Sequence, residues 1–419
     1  MTPSSSLELQ LLDAITHADA GCFDALALKV FAHQYAHNGP YRRFCDRRRL
    51  TPNRVGHWRQ IPAVPTSGFK VAELTCHPEV QSTLFLTSGT TQGVDRRGRH
   101  LVADLTLSHA AILSNAQTHL FPDLPRSPRS PRSPRSNDRR MLMLSLTPPP
   151  SQRPHSSLIH MIDLLMRQWG TVDSRYLGAP DGLDGNSLRH VLERAATDHQ
   201  PIALFGTTAA FAQWFEECEG LKWHVIVPPG SRLMDTGGLK LTEGAEPSLP
   251  AFINAISHRD AFLSFSKRLL GLPAHAIVNE YGMTELGSQF YVEARAAETE
   301  HGSPMPPRDH LKMEARAAGT VNGPPMPPYP KSTGMYVIPP WVRVRVVDPA
   351  TGNDVPPGET GLLCHYDLAN LHSVMAVHTD DLGVQPPGRV DGFHLLGRVA
   401  GSEPRGCSLD TSVALLAPR

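Results

Sequence analysis

Residues 84–93, LFLTSGTTQG, constrain this chain more than any other stretch. Leu84, Phe85 and Leu86 read as a short apolar strand that runs into a loop of hydroxyls and glycines. Gly89 and Gly93 admit positive φ and close backbone approach, so successive N–H groups can turn inward around an anion. Thr87, Ser88, Thr90 and Thr91 place hydroxyl donors at the same point. A polyphosphate is a natural guest for such a loop. An ordinary Ser/Thr-rich turn from strand to helix has the same composition and stays open as the alternative. No Lys follows the second glycine, which excludes the G-x-x-x-x-G-K-[ST] phosphate loop.

The length of 419 residues suits two or three domains, or one large α/β domain with an appendage. Lys plus Arg and Asp plus Glu balance at 40 each, so no global field points to nucleic acid or a membrane surface. The N-terminus, MTPSSSLELQLLDAI, has no basic region followed by an apolar core, and no run approaches the roughly 18 apolar residues of a spanning helix. Cys22, Cys45, Cys76, Cys218, Cys364 and Cys407 are scattered without C-x-x-C spacing. That argues against a zinc site or a disulfide framework, suits a reducing cytoplasm, and leaves room for a working thiol.

In chain order, residues 7–37 read as helical, with Leu7, Leu11, Leu12 and Ile15 at helical spacing, and the basic stretch 41–50 reads as a solvated face. Pro62 and Pro65 force an extended path before the loop strand. Beyond the loop, LSHAAILSNAQTHLF is an amphipathic helix, and four consecutive Pro-Arg-Ser triplets form a tract that cannot build a core. MLMLSLTPPP is a buried strand, HSSLIHMIDLLMRQWG a helix with Leu158, Ile162 and Leu165 on its apolar side, and PIALFGTTAAFAQWFEE a strand, turn and helix. A further strand is expected at residues 224–227, another at 276–279, and a long irregular connection over 295–333. Val342, Val344 and Val346 alternate with Arg343 and Arg345, which predicts a β-strand, a turn at 348–352 and a second strand from Gly361. The spacing of Cys364, His365, His372 and His378 fits no standard metal site.

Taken together and in order, SGTTQG, YGMTE (281–285), TDDLG (379–383), LLGR (395–398) and GSEPRGC (401–407) resemble the LuxE-like acyl-protein synthetases, within the adenylate-forming (acyl-activating) superfamily. The resemblance runs from about Ile61 to Leu409. It implies an α/β fold: a large domain of layered sheets and helices with a small β-rich subdomain, the mobile C-terminal lid domain and its lysine being absent. The corresponding division is a core over 1–335, interrupted by a disordered insertion near 125–138, a β-rich subdomain over 336–398, and a tail over 399–419.

The same resemblance implies site residues. Thr87, Ser88, Gly89, Thr90, Thr91 and Gly93 would cradle the phosphates of ATP, and Tyr281 with Gly282 would hold the adenine against a flat ring. Thr284 would bind the α-phosphate or acyl carboxylate, and Glu285 would hold Mg2+, which prefers oxygen ligands. Asp381 would bind the ribose, although Asp380 stands where the family carries glycine, and Arg398 would reach ribose or phosphate. Cys407 would accept the acyl group, its thiol favoured by Arg405. Phe205, Gly206 and Phe211 are acyl-pocket candidates, while Thr236, Gly237, Gly238 and Lys240 form a glycine-rich turn that would face adenine or acyl group. His155 or His160 would approach the acyl or phosphate group, and Lys70 or Lys240 would replace the lid lysine.

The implied reaction is ATP-dependent activation of a carboxylic acid, a fatty acid above all, as acyl-AMP, followed by transfer to a protein cysteine. An acyl reductase or acyl acceptor protein would be the partner, with neither nucleic acid nor membrane span. Transfer to coenzyme A, a carrier protein or an amine is the alternative, and a degenerate adenylate-binding protein without activity the second.

Overall fold

A computed structural model describes residues 3–87, 97–125, 140–179, 182–237, 259–293 and 334–399. Ser88, Gly89, Thr90, Thr91, Gly93, Gly238, Lys240, Arg405 and Cys407 lie outside the described residues, as do the Pro-Arg-Ser repeats after Pro125 and the connection over 295–333.

The chain begins with helices α1 (Pro3–His17), α2 (Phe23–His37) and α3 (Gly39–Arg47). The single helical stretch expected over 7–37 is broken. Ala18 takes a φ of 55°, and the Asp19 carboxylate accepts the Gly21 N–H at 2.9 Å, which turns the backbone between α1 and α2. The stretch 41–50 is also not simply a solvated face. Asn38 caps α3 by accepting the Tyr41 N–H at 3.1 Å, and Tyr41, Phe44 and Cys45 bury one side of the helix while Arg47 stays exposed.

Next come β1 (Val64–Pro65), the short α4 (Gly68–Val71), β2 (Thr83–Leu86), β3 (Arg99–Val102) and α5 (Thr106–His119). A parallel βα succession follows: β4 (Leu142–Ser145), α6 (Ser157–Trp169), β5 (Arg175–Tyr176), the small ribbon β6 (Gly178–Ala179) and β7 (Gly182–Leu183), α7 (Gly185–Thr197), β8 (Ile202–Thr207), α8 (Thr208–Gly220), β9 (Arg232–Thr236), α9 (Arg259–Leu270) and β10 (Ile277–Tyr281). The C-terminal part is β-rich: β11 (Phe290–Val292), β12 (Tyr336–Val337), β13 (Val342–Val347), β14 (Thr360–Asp367), β15 (Ala376–Val384) and β16 (Gly392–Arg398).

One hydrogen-bonded path joins them in the order β13-β14-β15-β16-β12-β11-β10-β9-β8-β4-β5, with β1 beside β15. From β5 to β10 the pairs are parallel, and from β10 to β13 they are antiparallel. The parallel strands are covered on both faces, as such sheets require. Ile202 and Leu204 of β8 point to a core shared with α7, α8 and α9, while Ala203 and Phe205 point to one shared with α5 and α6. A third core joins the N-terminal helices to the antiparallel strands.

The strand expected at 224–227 does not form. The N–H groups of Val225 and Val227 instead bond the Leu269 and Leu270 carbonyls at the end of α9, at 2.8 and 3.0 Å, satisfying groups a helix terminus leaves open. The strand lies a few residues later, in β9. Phe205 and Phe211, expected to share a pocket, are packed in the cores on opposite faces of the sheet. No helix among the described residues is long and apolar enough to cross a membrane.

Candidate active site

Two segments far apart in sequence meet beyond the end of β10. The first is the antiparallel hairpin β2–β3, whose register pairs Leu86 with Arg99. At its open end the Thr87 N–H donates to the Gly98 carbonyl at 3.0 Å, and the Thr87 hydroxyl accepts the Gly98 N–H at 2.8 Å. A Cβ on Gly98 would stand 2.9 Å from the Thr87 Cγ2, so glycine permits this close pairing. His155 braces the hairpin: its carbonyl accepts the Leu86 N–H at 2.9 Å, and its Nδ1 lies 3.0 Å from the Leu84 carbonyl.

The second segment is the turn after β10, which carries Tyr281, Gly282, Thr284 and Glu285. A Cβ on Gly282 would press on the Glu280 carboxylate, so glycine lets that side chain lie against the turn. The Thr284 hydroxyl is 3.5 Å from the Leu86 carbonyl, and the Thr284 carbonyl is 2.7 Å from His100 Nδ1. Hairpin and turn are thus fastened to each other.

Behind the turn stands the antiparallel half of the sheet. The Tyr281 O–H donates to Asp381 Oδ2 at 2.8 Å and lies 3.3 Å from His365 Nε2, while Arg398 Nε donates to Asp381 Oδ1 at 2.9 Å. The strand register makes this possible, because Asp381 of β15 faces Arg398 of β16. The Tyr281 ring is 8% exposed and packs among Phe290, Tyr336, His365 and Phe393, with centroids 5.7 to 5.9 Å away. Asn370 Nδ2 donates to the Glu285 carbonyl at 2.7 Å.

Burial sets the electrostatics. It pushes the Glu285 carboxyl up to about 7; Arg398 and Lys70 pull the other way, and Asp381 adds to the rise. Burial likewise raises Glu280 to about 7, against the hydrogen bond from the Thr236 hydroxyl. Desolvation lowers His365 to about 4, so its ring is neutral beside Tyr281.

Of the residues singled out in the sequence, Thr87, Tyr281, Gly282, Thr284, Glu285, Asp381 and Arg398 come together here, with Lys70 within electrostatic reach of Glu285. His160 stands apart, its Nε2 2.8 Å from His109 Nε2 between α5 and α6. His372, singled out with Cys364 and His378, instead pairs with His77 at 3.0 Å. The sequence reading missed His100, His365 as a partner of Tyr281, Asn370 and Glu280. Each acts through a contact across the fold and carries no local motif.

In fold, the chain is similar to the large domain of adenylate-forming enzymes. The chain superposes with a TM-score of 0.54 on a 2-hydroxyisobutyryl-CoA ligase in its postadenylation state, at 14% identity over 90% of this chain and 68% of that one. An open conformation of the same ligase, with 2-HIB-AMP and CoA, gives 0.52 at 14% identity over 90% and 74%. More particularly, part of the chain is similar to the LuxE acyl-protein synthetases: the family described as "Acyl-protein synthetase, LuxE" matches residues 11–106. In the same vein, a long-chain-fatty-acid–luciferin-component ligase of Vibrio harveyi is 31% identical over 86 residues, which is 19% of this chain and 22% of that protein. The family match takes in α1 to β3, beginning upstream of the motifs read in the sequence and ending at Thr106, before YGMTE.

Proposed function

We propose that the chain activates a fatty acid with ATP as acyl-AMP, releasing pyrophosphate, and passes the acyl group to a protein cysteine. The observation that carries this reading is the fastening of the β2–β3 hairpin to the Thr284–Glu285 turn, with Asp381 and Arg398 behind it. In this reading the hydroxyl-rich loop binds the polyphosphate, and Thr284 orients the α-phosphate or the attacking carboxylate. Asp381 accepts from the ribose hydroxyls. Arg398, its fork partly engaged by Asp381, presents its remaining donors to ribose or phosphate. Tyr281 is packed into an aromatic cluster, so its contribution is an apolar wall for the base and a hydroxyl that fixes Asp381.

Glu285 fits a Mg2+ ligand. It is an oxygen donor, 6% exposed, and raised to about 7 by burial against the pull of Arg398 and Lys70. A bound Mg2+ would neutralise charge on the phosphates. The carboxylate oxygen of the acid attacks the α-phosphorus and the bond to the β-phosphate oxygen breaks, giving acyl-AMP and pyrophosphate. Lys70, whose charge reaches Glu285, steadies the developing charge. The thiolate of Cys407, favoured by Arg405, then attacks the acyl carbon of the mixed anhydride and expels AMP, leaving a thioester.

The test is to supply Mg·ATP and radiolabelled long-chain fatty acid to the purified protein, following pyrophosphate and label on the protein. Label released by neutral hydroxylamine, and lost in Cys407→Ala while pyrophosphate release persists, is the expected result. Pyrophosphate without protein label moves the acceptor to coenzyme A, a carrier protein or an amine. No pyrophosphate with any carboxylic acid overturns the reading.

A further inference from the structure

His100 stands in the middle of β3 and is 2% exposed, with its two ring nitrogens in different circumstances. Nδ1 is 2.7 Å from the Thr284 carbonyl oxygen. A carbonyl only accepts, so Nδ1 carries the proton. Burial keeps the ring neutral, lowering it to about 4, and Nε2 is left as a bare acceptor, buried and without a hydrogen-bond partner among the described residues. An unpaired buried polar atom is a cost a leucine or phenylalanine in this place would not carry. The return for that cost is the other end of the ring.

Thr284 is clasped twice, once by each strand of the hairpin. Its hydroxyl reaches the Leu86 carbonyl of β2 at 3.5 Å, and its carbonyl receives His100 of β3. The ring itself packs edge-on against Phe69, centroids 5.6 Å apart and planes at 88°, which favours the orientation of the bond it makes. Phe69 precedes Lys70 on α4, which ties the same contact to the cation that reaches Glu285.

We propose that His100 is a positioning residue: through its Nδ1–H to the Thr284 carbonyl it sets the place of the Thr284 hydroxyl and the Glu285 carboxyl relative to the hairpin. The inference rests on the adenylate-forming reading of the site. His100 touches no reacting atom in this account and moves no proton. An error of about 1 Å in such a constellation costs on the order of a hundredfold in rate.

Asparagine and glutamine separate the bond from the bulk, because Asn presents an N–H where Nδ1 sits and Gln presents one where Nε2 sits. His100→Asn is expected to retain the pyrophosphate-release kcat within about threefold. His100→Gln and His100→Leu are expected to lose about a hundredfold in kcat, with the KM for fatty acid unchanged and the pH profile unaltered in shape. Equal losses in Asn and Gln, or the disappearance of one limb of the pH profile, overturn the proposal. If the Leu protein does not fold, the Asn and Gln pair decides. If the wild type releases no pyrophosphate, the reaction reading fails, and hydrogen exchange then tests His100 by itself. Amides of residues 83–87 and 281–286 should exchange faster together in His100→Gln and stay at wild-type rates in His100→Asn. Wild-type protection in the Gln and Leu proteins overturns the positioning role.

Discussion

Glu280 and Glu285 are two buried carboxyls a few residues apart, both raised to about 7 by desolvation, yet their surroundings differ in kind. Glu285 feels Arg398 and Lys70, whereas the influences on Glu280 are the Thr236 hydroxyl and the like charge of Asp235, which raises it further. On the proposed function the first would take a cation, while the second props the strand end under the Gly282 turn. A cation at Glu285 would drive it to ionise, so Mg·ATP binding at pH 6.5 is expected to release about three-quarters of a proton from the wild type. Calorimetric titration in two buffers of different ionisation enthalpy measures this, and Glu285→Gln is expected to abolish the release and lower kcat about a hundredfold. For Glu280 the expected signature is stability. Its folded value lies above the unfolded one, so its contribution is full below about pH 4.5 and is lost as pH rises through 7, an effect of at most roughly 3 kcal/mol. Glu280→Gln keeps the bond to Thr236 and should flatten the fall in Tm between pH 5 and 8. A pH dependence identical to wild type would show that Glu280 is not the group that titrates.

At the scale of elements, the ends of β9 and β10 are held by one polar knot. The Asp235 carboxylate accepts from Arg259 at 2.5 Å, Asn279 at 2.7 Å and the Thr208 hydroxyl at 2.9 Å, and Asn279 in turn accepts the Tyr336 O–H at 2.5 Å. Asp235→Ala leaves the nearly buried Arg259 without its partner and is expected to cost about 3–5 kcal/mol, read from the urea midpoint. Asp235→Asn, which keeps acceptor and shape, should cost visibly less. The same strands show what a sequence can and cannot disclose. β4 and β8 are apolar runs that only a doubly covered strand needs, and they are legible as such. β9, Arg232–Thr236, carries Asp235 of this knot and Arg232, which pairs with Asp123, and so does not look like a buried strand. The apolar VIV just before it does, yet its amides cap α9. In the site, Tyr281, Thr284 and Glu285 are legible because they are contiguous. His100 and Asn370 are not, because their bonds to the turn span 184 and 85 residues of sequence.

Across the whole molecule, the N-terminal helices are bolted to the strand end that backs the site. Gln34 of α2 is fully buried; its Nε2 donates to the Asn370 and Leu371 carbonyls at 2.7 and 3.1 Å, and its Oε1 accepts the Met375 N–H at 3.0 Å. Asn370 is the residue that holds the Glu285 carbonyl, so one chain of bonds runs from α2 to the candidate magnesium ligand. That chain links the segment matched by the LuxE family to a part of the chain beyond the match. The hydrogen-bonded path from β10 to β11 likewise leaves no gap between the parallel and antiparallel halves. The described parts should therefore lose structure and activity in one denaturant transition. Gln34→Ala strands three backbone groups out of water, each worth about 1–3 kcal/mol when unpaired, with partial relaxation bringing the sum to roughly 3 kcal/mol. The expected outcome is a lower urea midpoint at which far-ultraviolet dichroism and pyrophosphate release still fall together. An activity loss that precedes the dichroism change in this variant, but not in wild type, would mean that the helices can detach while the sheet stands, and that the bolt at Gln34 acts on the site alone.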